Sequence, residues 1–296
     1  MKLYLSKVQI RTLSLLCSRS FTAGELAIEL GVKPSFVSRL LKSLAELGLV
    51  MVQKQGASKE ISLSAAGHSQ AFKKLYQSRP KAGIEQWLSG HAISLLIPIL
   101  DVEGGLNRRE LLREAGCSYS TLLKTMKGLG AVGAAGKVNG KYVIHDALVR
   151  LFVSEFANNV QLIMQKQLVG YNVSIRMGKH VVVRTETKDP GEEFAKTGVN
   201  KLVEVGLEAM LTSYNDYYFS LDGKTHKIST EEAFVHALLL STLRYNVDFT
   251  VLASFLNKNK QKLDWIQLRK YAKMYKVENA LREMQRSLEL YEKLRG

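Results

Sequence analysis

Residues 22–63 read TAGELAIELGVKPSFVSRLLKSLAELGLVMVQKQGASKEISL, and this stretch decides the fold of the first part of the chain. Thr22 and Glu25 have the spacing of a capping box, and Gly31 is typical of the residue that ends a helix. A second helix is predicted from Pro34, which suits the first helical position, to Gly48. Its apolar residues recur every three or four positions, the spacing of one buried face: Val37, Leu40, Leu41, Leu44 and Leu47.

Strand composition follows the second helix. Residues 49–54 and a return segment that ends at Leu63 flank a turn at 55–58, so a β-hairpin is predicted. Two helices joined by a Gly-bearing turn and followed at once by a hairpin form a winged helix-turn-helix. In that fold the second helix enters the major groove of DNA and the hairpin, or wing, contacts the backbone. Winged helices also serve as scaffolds between proteins, and that interpretation stays beside DNA binding.

The predicted DNA contacts come from the polar face of the second helix and from the wing. Arg39 projects from the middle of the helix, where an arginine can offer two parallel donors to guanine. Lys54 and Lys59 flank the wing turn, where an ammonium group meets phosphate more readily than a base. The first set of predicted contacts is Lys33, Ser35, Phe36, Ser38, Arg39, Lys42, Ser43, Lys54 and Lys59.

The order of Leu49-Val50, a wing, and Leu63-Ser-Ala-Ala-Gly67 before a further helix resembles the MarR-like group of bacterial and archaeal transcription regulators. The likeness covers about the first quarter of the chain. Lys33 stands where such proteins usually have a Ser or Thr cap. The resemblance implies a domain that binds double-stranded DNA and regulates transcription.

Length and charge limit the remaining possibilities. A chain of 296 residues is too long for one small domain. Its 42 Lys and Arg residues against 27 Asp and Glu residues give a net charge of +15, which favours binding to a polyanion such as nucleic acid. Twelve basic and four acidic residues lie in 1–80, so the segment predicted to bind DNA is also the most basic.

Several classes of protein are not indicated. Cys17 and Cys117 have no Cys or His partner at ligand spacing, which argues against a disulfide framework or a zinc site. The N-terminus lacks a signal peptide, and the longest apolar run, 93–100, is too short to span a bilayer. We therefore expect a soluble, cytoplasmic protein without a cofactor and without a membrane partner.

The first pattern recurs later in the chain. A shift of 85 residues places Gly31 and Gly48 on Gly116 and Gly133, and the inward helix positions stay apolar apart from one. A second winged helix is therefore predicted, with a tight wing turn at 139–140. It has three open roles: contacting DNA, bracing the first unit, or forming a dimer contact. Its predicted DNA contacts are Ser120, Lys124, Lys127, Lys137 and Lys141.

Three domains are predicted, at 1–80, 81–170 and 171–296, in a mainly α fold with small β-hairpins, which is an α+β class. A long helix is predicted at 146–170, with an apolar face formed by Leu148, Leu151, Phe152, Phe156 and Val160. This helix either pairs with its copy in a homodimer or packs on the third domain, and both interpretations stand. In the third domain a hairpin is predicted from 217–221 and 225–228, followed by a capping box at Ser229 and Glu232 that opens a series of helices.

The third domain has a resemblance of its own. Its order is Thr197-Gly198 before an apolar helix, a Tyr-rich strand, a basic strand ending at 228–232, and 263–272 before a final amphipathic helix. This order is similar to the C-terminal domain of the antitoxins of type IV toxin-antitoxin systems (AbiEi-like). Those proteins pair one winged helix with such a domain and repress their own operon. The resemblance covers the last third and implies a toxin-like protein partner through 171–296; two winged helices instead of one depart from the pattern.

An enzyme finds little support in the sequence. The chain has no phosphate-binding Gly-Lys-Ser/Thr loop and no Gly-x-Ser-x-Gly elbow. Its six histidines are scattered, without metal-ligand spacing. We expect no enzymatic activity; the alternative is a DNA-associated nuclease or nucleotidyltransferase. The best candidate carboxylates for that alternative are Asp216 with Asp222, and Glu192 and Glu193 beside Lys196, although turn chemistry and the helix dipole explain them equally.

Overall fold

The computed structural model describes residues 3–55, 58–208, 213–242 and 249–295. The chain divides into two compact units, Met1–Gln165 and Lys166–Gly296. Helices predominate and the sheets are small and antiparallel, so the predicted α+β class is confirmed. Both predicted winged helices lie in the first unit; that they are separate domains stays a prediction. No helix in the described part of the chain is long and apolar enough to cross a membrane.

The first winged helix forms as its local signals predict. The Thr22 hydroxyl accepts a hydrogen bond from the Glu25 amide (3.2 Å), and the Glu25 carboxylate accepts one from the Thr22 amide (2.6 Å), which confirms the capping box. Gly31 has a φ of 65°, the left-handed conformation that ends the helix. The middle of the predicted wing turn, 56–57, lies outside the described residues. The elements are α1 Lys7–Leu16, β1 Phe21–Thr22, α2 Ala23–Leu30, α3 Pro34–Glu46, β2 Val50–Gln55, β3 Ser58–Leu63 and α4 Gly67–Ser78.

A third strand of this sheet was missed by the sequence analysis. β1 pairs antiparallel with β3, with Phe21 opposite Ile61, so the sheet order is β1-β3-β2. Two residues are too few to show the alternation that identifies a strand. The strand ties the start of α2 to the wing.

The second winged helix repeats the first at the predicted offset. α7 and α8 begin and end 85 residues after α2 and α3, which confirms the repeat. Asn107 and Glu110 form the capping box that Thr22 and Glu25 form in the first copy. The wing turns through Asn139 (φ 49°) and Gly140 (φ 78°), as expected of Asn-Gly. The elements are α5 Ile84–Trp87, α6 Ala92–Leu100, α7 Arg108–Ala115, α8 Tyr119–Ala131, β4 Ala135–Val138, β5 Lys141–Ile144 and α9 Ala147–Gln165.

α9 packs against α4 of the first winged helix. The two partners predicted for this helix were a second copy of the chain and the third domain. α4 was not among them. The rings of Phe72 and Phe152 meet edge-on with centroids 5.5 Å apart, and both residues are fully buried. The predicted apolar face was wrong at Leu151, which is 39% exposed, because the buried stripe runs instead through Val149 and Val153.

The second unit is an antiparallel sheet of order β6-β7-β9-β8 with helices that bury its apolar side chains. α11 is the central helix, and its Phe234 and Leu238 are fully buried in the core with Tyr218 of β9. The elements are β6 Asn172–Met177, β7 His180–Thr185, β8 Ala195–Lys196, α10 Gly198–Val203, β9 Asn215–Ser220, α11 Thr230–Thr242, α12 Phe249–Asn259, α13 Trp265–Met274 and α14 Glu278–Arg295.

The predicted hairpin of 217–221 with 225–228 was wrong. β9 forms, but 225–228 is not a strand. β9 pairs with β7 along one edge, and β8 occupies the other edge at Tyr217 and Tyr218, two of the residues of the predicted hairpin. Residue Ile228 is buried in the helical core instead.

Truncation of Phe152 tests the packing of α4 on α9. We expect Phe152→Ala to lower the free energy of unfolding of the first unit by about 3 to 5 kcal/mol, because it removes a fully buried ring and leaves a cavity. Urea unfolding followed by Trp87 fluorescence, in a Trp265→Phe background, measures the effect on this unit in the full chain. Leu151→Ala is the control, since the neighbouring exposed side chain should change stability by less than about 0.5 kcal/mol. Equal effects of the two changes would contradict the packing described.

Candidate nucleic-acid interface

α3 buries one face and exposes the other. Val37, Leu41 and Leu44 are buried against the rest of the first winged helix. The helix begins at Pro34 after Lys33, whose side chain makes no capping hydrogen bond. The single acidic residue of α3 is Glu46, at its last position. The outer face therefore carries basic and polar residues, with Phe36 as an exposed ring, and no acidic residue before its last position.

The first set of predicted contact residues is exposed with one exception. Ser43 is half-buried, and its hydroxyl accepts a hydrogen bond from Gln9 Nε2 of α1 (3.1 Å), which fixes α3 on α1. Within the described part of the chain, no carboxylate pairs with any of the basic residues of this set. Their contact with DNA stays a prediction. The exposed members are Lys33, Ser35, Phe36, Ser38, Arg39, Lys42, Lys54 and Lys59.

The wing brings two positive charges together. Lys54 and Lys59 lie directly opposite each other in the β2–β3 pairing, and both are exposed. Like charges directly across an antiparallel pair destabilise a hairpin. A phosphate between the two ammonium groups would remove that repulsion, so this placement favours a polyanionic partner.

The second winged helix presents an equivalent surface. Ser120, Lys124 and Lys127 are exposed on α8, which carries no acidic residue. On its wing Lys141 is exposed. Lys137 is exposed as well, with its ammonium group 4.9 Å from the centre of the Tyr142 ring. The two surfaces thus share a basic recognition helix and a basic wing.

Two arginines of the second winged helix were missed as candidates. Arg108 and Arg109 are exposed in the first turn of α7, and the Arg108 guanidinium lies 5.1 Å from the centre of the Tyr119 ring. Cations at a helix N-terminus oppose the helix dipole, so two adjacent arginines there are a signal of function that the sequence contained. The helix before the recognition helix crosses the DNA backbone in helix-turn-helix proteins, so the same placement of α7 would bring these arginines near phosphates.

The comparison with known families identifies the first of these surfaces. The model of the bacterial regulatory proteins of the arsR family matches residues 6–52, from the cap of α1 into the first strand of the wing. The chain matches no curated protein. The family match supports a winged helix-turn-helix that binds DNA and regulates transcription. The finer resemblances, to MarR-like regulators and to antitoxins, stay predictions.

The carboxylates of the enzyme alternative make structural contacts in the second unit. Asp216 is fully buried and accepts two hydrogen bonds from Arg184, Nε to Oδ1 at 2.7 Å and Nη2 to Oδ2 at 2.8 Å. Asp222 pairs with Lys179 at 3.2 Å and accepts a hydrogen bond from the Ser220 hydroxyl. These pairs hold neighbouring strands and turns together.

The remaining candidates of that alternative lie at the surface. Glu192 and Glu193 are exposed, and Lys196 pairs with Glu204 at 3.6 Å. The described residues contain no group of three or more His, Cys, Asp or Glu side chains placed to hold a metal ion.

A histidine cluster surrounds Tyr218 in the core of the second unit. The predicted cap at Ser229 is confirmed, since its hydroxyl accepts a hydrogen bond from the Glu232 amide (3.2 Å). The Glu232 carboxylate, however, turns to His226 Nε2 at 2.8 Å and raises the pKa of that histidine. His236 is fully buried, and this burial lowers its pKa well below the ordinary value and keeps it neutral.

Asp216→Asn tests the structural role of the buried ion pair. We expect a loss of about 3 to 5 kcal/mol of stability in the second unit, because Arg184 stays buried without its counter-charge. Trp265 fluorescence during urea unfolding, in a Trp87→Phe background, measures it. Glu208→Gln is the control, since Glu208 pairs with Lys258 on the exposed surface and its loss should leave the transition in place. An undiminished stability of Asp216→Asn would return this carboxylate to the candidates for catalysis.

His226→Gln tests the pair with Glu232 through its dependence on pH. A pKa raised in the folded state stabilises the protein fully below the unfolded value of about 6.5 and ceases to do so as the pH rises through the folded value. The melting temperature of the variant should therefore fall further below that of the unchanged protein at pH 5.5 than at pH 8.5. A difference that is the same at both pH values would show that the charge of His226 is not involved.

Proposed function

We propose that the protein is a sequence-specific DNA-binding regulator of transcription that uses α3 and its wing to recognise DNA. The observation that carries this proposal is the arrangement of Arg39 and Lys42 on an exposed helix beside the opposed Lys54 and Lys59 of the wing. A helix of this width and charge fits the major groove, and the lysines of the wing lie where they would meet phosphates. The arsR-family match over residues 6–52 supports the same function.

The second unit is proposed to bind a partner or an effector rather than to catalyse a reaction. Asp216 and Asp222 neutralise Arg184 and Lys179. Both oxygens of Asp216 accept hydrogen bonds from the buried Arg184, and removing such a partner from a buried ion pair is strongly destabilising, so this carboxylate is already engaged in holding the fold. We therefore prefer a binding role to the nuclease or nucleotidyltransferase alternative.

A narrower proposal follows from the sequence resemblance to antitoxins. In it the protein represses its own promoter, and 171–296 binds a toxin-like protein. If the protein represses its own promoter, the DNA that it selects from a genomic pool must include the region upstream of its own gene. A reporter driven by that region should be repressed by the protein, and a reporter that is not repressed would exclude this narrower function while leaving DNA binding intact.

Two substitutions separate base recognition from phosphate contact. Arg39→Ala should cost about 1 to 3 kcal/mol of affinity for the selected DNA and relax the preference at one base pair, because an arginine in the major groove reads guanine through two donors. Lys59→Ala should weaken binding to selected and scrambled duplexes alike and lower the salt dependence by about one ion. Titrations of both duplexes at several salt concentrations measure the two effects.

Arg269→Ala, which removes an exposed charge from α13, is the matched control. It should change neither the ratio of specific to scrambled affinity nor the salt dependence of binding. If Arg39→Ala leaves the ratio of specific to scrambled affinity unchanged, α3 does not lie in the major groove. If the unchanged protein retards no DNA at low salt, the winged helices are scaffolds and the proposed function is wrong.

A further inference from the structure

The contacts between α4 and α9 have the pattern that an approximate two-fold axis relating the two winged helices would produce. Phe72 of α4 lies against Phe152 of α9. Arg79, seven residues after Phe72, pairs with Asp146, which precedes Phe152 in the chain. Residue numbers rise along one helix as they fall along the other, so the helices are antiparallel. An antiparallel pair of equivalent helices is the arrangement that a two-fold rotation produces.

Equivalent residues meet each other at this axis. Phe72 comes five residues after Gly67, the first residue of α4, and Phe152 comes five residues after Ala147, the first residue of α9. In a symmetric dimer a residue on the axis contacts its own copy. Here the contact between Phe72 and Phe152 reproduces that relation within one chain.

The same axis relates two hydrogen bonds to the ends of the recognition helices. Asn159 Nδ2 donates to the carbonyl of Leu47, at the C-terminus of α3 (2.7 Å). Arg79 donates to the carbonyl of Val132, at the C-terminus of α8. Leu47 and Val132 are 85 residues apart, and Arg79 and Asn159 each lie twelve residues after the start of their helix. Each recognition helix is therefore held by the helix of the other repeat.

We infer that one chain binds two DNA half-sites in inverted orientation, with α3 in one and α8 in the other, and needs no second copy to do so. This inference rests on the proposed DNA-binding function. A two-fold rotation places both recognition helices at the same level along its axis, as symmetric helix-turn-helix dimers do when they bind a palindrome. The contacts of Asn159 and Arg79 fix that placement within one compact unit.

The position of a dimer partner is already filled. A second winged helix that approached α4 in the same way would need the face that Phe72 contributes, and this face is fully buried under α9. The predicted homodimer is thus not required for recognition of two half-sites.

The two half-sites differ in sequence because the two recognition faces differ. Lys124 stands in α8 where Arg39 stands in α3, and a lysine does not reproduce the two parallel donors of an arginine. The exposed Leu123 takes the place of Ser38. The surface of α8 therefore offers an apolar contact, suited to a thymine methyl group, where α3 offers a hydroxyl group.

Footprinting of paired variants tests the inference on the strongest-binding selected duplex. Hydroxyl-radical cleavage should show two protected patches about one helical turn apart, roughly 10 base pairs, or a multiple of it. Lys124→Ala with Lys127→Ala should remove one patch, and Arg39→Ala with Lys42→Ala should remove the other, each lowering affinity by about tenfold or more. Arg269→Ala with Lys273→Ala removes the same charge from α13 and should retain both patches. Native mass spectrometry should give one chain per duplex.

Two results would overturn the inference while leaving DNA binding established. One is a single protected patch on the duplex, together with a Lys124→Ala, Lys127→Ala variant that binds with unchanged affinity. The other is two chains per duplex with both patches lost in the Arg39→Ala, Lys42→Ala variant, because two copies of α3 would then read both half-sites. Failure of the unchanged protein to bind any DNA would instead remove the proposed function itself.

Discussion

The architecture of the first unit depends on the buried contact between α4 and α9. A winged helix alone would leave the apolar face of its last helix in water, and a buried Phe side chain stabilises a fold by about 1.5 to 3 kcal/mol relative to an exposed one. Phe72, Phe152 and Phe156 are all fully buried in this contact. The contact also orients function, because Arg79 and Asn159 at the edges of the same helix pair bind the C-terminal carbonyls of the recognition helices.

Several charges of the first unit are placed against local stability. Lys54 faces Lys59 across the wing, and Arg108 with Arg109 opens a helix whose N-terminus prefers an anion. Sites that break a local rule of stability are commonly functional. One external agent, a row of phosphates, would relieve both conflicts, and this agreement is stronger support for nucleic acid than the net charge of +15, which would suit any polyanion.

The parts of the fold that were predictable from the sequence are those set by local chemistry. Gly31, Gly116 and the Asn139–Gly140 turn need backbone conformations that few residues adopt, so their positions fixed the helix ends and the second wing. The parts that were not predictable depend on distant partners. The stripe of α9 was misplaced at Leu151 because only α4 decides which face is buried. The strand predicted at 225–228 does not form, and Ile228 is instead buried in the core of the second unit, a contact that no local pattern in the sequence shows.

The candidate site residues also differ in whether local sequence or a distant partner determines their role. Exposed residues of the recognition helix follow from periodicity, because a helix that buries Val37 and Leu44 must turn Arg39 and Lys42 outward. Nothing local reveals that Asp216 belongs to Arg184, which is 32 residues earlier. From the sequence, Asp216 is therefore a candidate for catalysis. In the structure it is the partner of a buried arginine. The two repeats share the helix ends and the cations of α3 and α8, but Lys124 stands in α8 where Arg39 stands in α3, so one scaffold carries two different outer helix faces.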